Sequence, residues 1–236
     1  MTLDELIADL VTANHILAHE GVLDAFGHVS IRHPDDPALF LLSQSRSPEL
    51  VSRDDIMTFT HDGGVVGEDD RKPYLERFIH GSIYAERPDV LAVVHSHARE
   101  ILPFAVTREP LRPVTHLGAI VGAEVPVWDI RDAFGPATNM LVSNGDQGDN
   151  LARALGLRDG ILMRGHGSVV VGRDVREATL KAIYLGVNAQ VLAEARRIGE
   201  PVFLSEEEQR LSKDVNLAPN PMTRAWQYYA DRAGRA

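Results

Sequence analysis

Four consecutive apolar residues, Leu91-Ala92-Val93-Val94, run directly into His95-Ser96-His97. A continuous apolar run of this length reads as a strand buried on both faces. Helical and strand-like stretches alternate around it. Leu3, Leu6, Ile7, Leu10, Val11, Ile16 and Leu17 recur at helical spacing, which predicts a helix to about Gly21. Strands are expected at 26–32, 39–42, 160–163 and 168–171, with one or two more within 115–128. A turn or short helical entry is expected at 52–56 and a hairpin turn at Gly63-Gly64. Further helices are expected at 74–86, with Leu75, Phe78, Ile79, Ile83 and Tyr84 on the buried side, and at 98–106, 149–155 and 176–197, the last amphipathic. No linker rich in Pro, Gly or Ser interrupts the pattern. Residues 1–236 therefore read as one α/β domain, a central sheet layered by helices, with a polar helical tail from about residue 205.

Composition narrows the chemistry. The chain has no cysteine, which excludes disulfides, thiolate metal sites and cysteine nucleophiles, so any metal must be held by His and carboxylate. The net charge of −10 argues against a nucleic-acid or membrane-surface footprint. No apolar run is long enough to span a membrane, and the start Met1-Thr2-Leu3-Asp4-Glu5 lacks a basic leader; a soluble, cytoplasmic protein is expected. A G-x-S-x-G nucleophile elbow, a phosphate-cradling loop with Lys and a dinucleotide fingerprint are all missing.

Ten histidines remain to be placed. Side chains alternate along a strand, so His95 and His97 point together from its end and can share one divalent ion. A helix cap and a surface hydrogen bond would explain the same pair. His166, between Gly165 and Gly167, supplies a third candidate ligand where the backbone can turn sharply, unless it is incidental to a tight turn. Glu76, near a helix start, can be a fourth ligand, a general base or a simple cap. His80, one turn further on, reads as structural. His116 is a candidate pocket residue.

Gly27-His28-Val29-Ser30, Glu76-Arg77-Phe78-Ile79-His80, His95-Ser96-His97-Ala98 and Gly165-His166-Gly167 occur in this order, and the chain resembles the class II aldolase/adducin family from about residue 5 to residue 200. The resemblance implies a three-layer α/β/α fold with a central, mostly antiparallel sheet. It also implies a homo-oligomer, commonly a tetramer with active sites at subunit interfaces. One divalent ion per subunit (zinc, manganese, iron or cobalt) would be held by His95, His97 and His166, with Glu76 as the catalytic carboxylate. The chain departs from the sugar-phosphate aldolases of the family at the phosphate site. His28 stands where they have Asn, Arg46 replaces a turn glycine in Ser43-Gln44-Ser45-Arg46, and Tyr74-Leu75 replaces a Ser-Ser pair. An Arg, a His and a bulky wall suit a flat ligand carrying a carboxylate, which Arg meets bidentately.

Ser45 to Leu50, Arg71 to Glu76 and Leu111 to Val114 look most like the branch that decarboxylates 3-hydroxy-2-methylpyridine-4,5-dicarboxylate or 3,4-dihydroxyphthalate. The expectation is a metal-dependent decarboxylase of an anionic small molecule. Glu76 and His28 are the candidate catalytic residues. Arg46, Ser45, Tyr74 and His116 would contact substrate, and Tyr228 or Tyr229 would close a neighbouring subunit's pocket. An aldolase or epimerase of a small sugar or hydroxy acid is the alternative, and a non-catalytic adducin-like domain a more distant one.

Overall fold

The computed structural model describes residues 2–107 and 109–234. In chain order the elements are α1 (Leu3–His19), β1 (His28–Arg32), β2 (Leu39–Ser43), β3 (Ile56–Thr60), α2 (Arg77–Glu86), β4 (Ala92–Ser96), α3 (Leu102–Ala105) and β5 (Val127–Trp128). They continue with α4 (Arg131–Phe134), α5 (Gly145–Leu155), β6 (Gly160–Met163), β7 (Gly167–Gly172), α6 (Val175–Ile198), α7 (Glu206–Asn216) and α8 (Pro219–Ala233). The strands form one sheet in the order β3-β2-β1-β4-β7-β6-β5. Every pairing is antiparallel except β5 with β6.

Strand alternation divides the apolar residues between two cores. Val29, Ile31, Ala92, Val94, Leu162 and Val170 face α1, α6 and α8. Phe40, Leu42, Phe59, Val93, Val169 and Val171 face α2 and α5. The result is the expected three-layer α/β/α arrangement with β4 buried on both faces. Ile79 and Ile83 of α2 are fully buried against the second face, so truncating either to Ala should cost about 2–5 kcal/mol.

Several boundaries differ from expectation for local reasons. The second helix begins at Arg77 rather than at residue 74, and Leu75 is 52% exposed. Pro73 bridges to Gln44 and the Tyr74 hydroxyl donates to the Arg46 carbonyl, so tertiary contacts hold this stretch outside the helix. The helix expected over 98–106 shrinks to α3, because Pro103 has no N–H and fits only in a first turn. Most of 115–128 is irregular, with a 3-10 turn at Gly118–Val121 and only β5 as strand. α5 starts four residues early, where the Asn144 side chain accepts from Gln147 N–H as an N-cap. α6 is not amphipathic over its N-terminal two-thirds: Lys181 and Glu177 are buried there, paired with each other at 2.6 Å. The C-terminal tail is not merely polar, since Trp226 and Tyr229 of α8 enter the first core.

Candidate metal centre

The end of β4 and the turn between β6 and β7 bring the histidines together. His95 lies within β4, paired with His28 of β1 on one side and Val169 of β7 on the other, and His97 follows immediately. The glycines around His166 are a steric requirement. Gly165 has φ +65°, a left-handed conformation that L side chains rarely adopt, and a Cβ at Gly167 would lie 2.1 Å from the Ser96 carbonyl oxygen. The turn can therefore pack against the end of β4 and deliver His166 to the other two imidazoles. The ring centroids of His95, His97 and His166 form a near-equilateral triangle with sides of 4.8, 4.9 and 5.0 Å.

Backbone carbonyls orient two of the rings. Nδ1–H of His95 donates to Ser168 O at 3.1 Å, and Nδ1–H of His166 donates to Met140 O at 3.0 Å. Each ring then presents a lone pair at Nε2, the tautomer that binds a metal. His97 Nε2 lies 3.1 Å from His95 Nε2. Glu76 is the backbone N-cap of α2, but its side chain makes no cap hydrogen bond. Its Oε1 accepts from Val142 N–H at 3.0 Å, and its Oε2 lies 3.5 Å from Nε2 of both His95 and His166. One ligand atom from each of Glu76, His95, His97 and His166 falls within a group no more than 4.8 Å across. Converging lone pairs beside a carboxylate fit a divalent cation, which would relieve their mutual repulsion.

The electrostatics show what a cation must displace, because the Glu76 carboxylate draws protons onto the same imidazole nitrogens. Burial works to raise the Glu76 carboxyl, but hydrogen bonds and charge from His166 and His95 outweigh it and hold the group ionised, far below the usual carboxylate range. Burial, together with repulsion from His95 and His166, pushes His97 down to about 4, so it is neutral at physiological pH and able to ligate. For His166, Glu76 overcomes the burial effect and raises the imidazole.

A cavity of about 470 Å³ opens beside this cluster, lined among others by His28, Ser45, Arg46, Tyr74, Glu76 and His97. Arg46 Nε donates to Leu50 O at 2.7 Å and lies 3.5 Å from Asp55. The Tyr74 and His28 rings pack at 4.6 Å. His28 and His80 are buried and linked at 2.6 Å, and burial pushes both below their ordinary value, His80 to about 3. Within one chain, His116 and Tyr229 lie away from this cavity. His116 is exposed, with its carbonyl accepting from Asn216 at 3.0 Å. Tyr229 is buried with its hydroxyl on Tyr184 at 3.2 Å, and both Tyr228 and Tyr229 line a different cavity beneath α8.

Sequence reasoning missed the segment from Thr138 to Val142. Its Met140 carbonyl orients His166 and its Val142 N–H holds Glu76, so one loop fixes two members of the cluster. Met140 has φ +67°, the single positive value among the described non-glycine residues. Nothing in Asn139-Met140-Leu141 signals this locally.

A family model described as "Class II Aldolase and Adducin N-terminal domain" matches residues 8–193. Decarboxylase tropJ of Talaromyces stipitatus is 34% identical, over 94% of this chain and 92% of that protein. The 3,4-dihydroxyphthalate decarboxylase of a Terrabacter species is 28% identical, over 98% of this chain and 96% of that protein. An aldolase II superfamily protein from Pseudomonas syringae, 20% identical, has the same fold with a TM-score of 0.80, over 98% of this chain and 92% of that one. With a family match across most of its length and a relative sharing a third of its residues, the chain belongs to the class II aldolase and adducin N-terminal domain family.

Proposed function

We propose that the chain is a divalent-metal-dependent carbon–carbon lyase that decarboxylates a hydroxylated aromatic or pyridine dicarboxylate, of the dihydroxyphthalate or hydroxymethylpyridine-dicarboxylate type. The observation that carries this reading is the cavity beside the histidine cluster, walled by Tyr74 and His28 and bearing Arg46. Two relatives matched over nearly their whole length carry decarboxylase names. His95, His97 and His166 would hold the ion, with Glu76 beside them. A bound divalent ion supplies the Lewis acid that takes up the electron pair left when a carbon–carbon bond breaks.

The chain's own residues do the rest. Arg46 and Ser45 hold a substrate carboxylate, and the Tyr74 ring gives a flat ligand a wall. Glu76, kept ionised, accepts the proton of a ring hydroxyl. As the bond to the departing carboxylate breaks and CO₂ leaves, Glu76 returns that proton to the ring carbon. The active assembly is a homotetramer in the cytoplasm.

The same four residues serve retro-aldol cleavage equally well, which keeps an aldolase or epimerase of a small sugar or hydroxy acid as the second reading. Metal-loaded protein offered 3,4-dihydroxyphthalate, a hydroxypyridine dicarboxylate and a phosphosugar in parallel separates the two. CO₂ release from an aromatic acid is expected. Aldehyde release from the phosphosugar, with no CO₂ from either acid, would reverse the order. No turnover of any of the three would favour a non-catalytic domain.

A further inference from the structure

Behind the cavity wall, a run of hydrogen bonds leads from His28 into the sheet. His28 Nδ1 is 2.6 Å from His80 Nε2, His80 Nδ1 is 2.6 Å from Ser30 Oγ, and Ser30 Oγ is 2.7 Å from the Tyr84 hydroxyl. All four side chains are buried, so each proton in the run must find its acceptor within the protein.

The far end sets the direction. Among the described residues, Ser30 Oγ is the one acceptor within hydrogen-bond distance of the buried Tyr84 hydroxyl, and a buried proton needs an acceptor. Its own single proton therefore goes to Ser30. Ser30, accepting from Tyr84, gives its one proton to His80 Nδ1. His80 then carries its proton on Nε2 and donates it to His28 Nδ1. That nitrogen of His28 is thus an acceptor, and the His28 proton sits on Nε2, the ring nitrogen not engaged by His80.

We propose that Ser30 and His80 are positioning residues that fix His28 as an uncharged Nε2–H donor toward the cavity. Held in this form, His28 grips a substrate oxygen and does not abstract a proton. Proton movement is then left to Glu76, the carboxylate on the same cavity. Together His28 and Arg46 place one neutral and one charged donor around the ligand, which selects a substrate bearing an oxygen substituent as well as a carboxylate. This inference rests on the cavity being the substrate site proposed above.

The test is a two-bond ¹H–¹⁵N correlation spectrum of the full-length protein with ¹⁵N-labelled histidine, the His28 signals being assigned by their loss in His28→Gln. His28 is expected as the pure Nε2–H tautomer. Ser30→Ala and the nearly isosteric Tyr84→Phe should each yield a mixture of tautomers. They should also raise KM for 3,4-dihydroxyphthalate roughly tenfold at unchanged bound metal. A wild-type His28 protonated on Nδ1 would overturn the proposal, as would a tautomer unmoved in both variants. The pure Nε2–H form in a protein that releases no CO₂ from 3,4-dihydroxyphthalate would support this assignment and overturn the decarboxylase reading alone.

Discussion

His28 and His95 face each other across the β1–β4 pairing, yet they belong to opposite kinds of environment. On the β4 side, carbonyls of Ser168 and Met140 take the Nδ1 protons of His95 and His166, and the Nε2 lone pairs converge with Glu76. On the β1 side, His28 and His80 use their nitrogens on each other, and the run ends on Ser30 and Tyr84. One group is wired to bind something absent from the chain itself, and the other is nearly self-satisfied. Residue type does not separate them; the partner at the second ring nitrogen does.

Breaking the converging group should have the largest effect. His95→Ala is expected to abolish metal retention and to lower activity by about a thousandfold or more, checked by elemental analysis beside turnover. Removing the proton carrier comes next. Glu76→Gln keeps the shape and the Val142 hydrogen bond, so turnover should fall by roughly 10²–10⁴ with the fold unchanged by circular dichroism.

The self-satisfied pair is sharpened by pH. The folded chain holds His80 at about 3, against an ordinary 6.5, mainly through burial and then the nearby His95, with Glu76 acting the other way. Below pH 6.5 the unfolded chain takes up a proton that the folded chain refuses. Stability from this site is therefore full above pH 6.5 and is lost as pH falls from there toward 3. Urea midpoints across that range should decline in the wild type and decline less in His80→Asn. The smallest effect is expected at Met140. Met140→Gly relieves the left-handed backbone but loosens the unfolded chain, so its stability should change by less than about 1 kcal/mol. Met140→Val should cost about 1–2 kcal/mol and weaken metal binding roughly tenfold, by moving the carbonyl that orients His166.

Residues whose signals are local could be read from the sequence. Val93 to His97 declared a strand end with two imidazoles on one face, and the glycines around His166 marked a close backbone approach, seen against Ser96. The replaced phosphate-site positions, His28, Arg46 and Tyr74, do line one cavity. What stayed hidden depends on tertiary contact. Met140 and Val142 act through backbone groups of an irregular loop, which no side-chain pattern reports. Ser30, His80 and Tyr84 join segments about fifty residues apart. No local constraint in the sequence places His116 or Tyr229; within one chain they lie against Asn216 and Tyr184, away from this cavity.

Three imidazoles sharing one divalent ion is the arrangement on which the proposed chemistry depends. Metal stoichiometry and CO₂ release from 3,4-dihydroxyphthalate, measured on the same purified protein before chelation, after chelation and after re-addition of each divalent ion, test it directly. About one ion per chain is expected, lost together with activity on chelation and restored with it, and neither recovered in His166→Ala. Full activity in metal-free protein would contradict it.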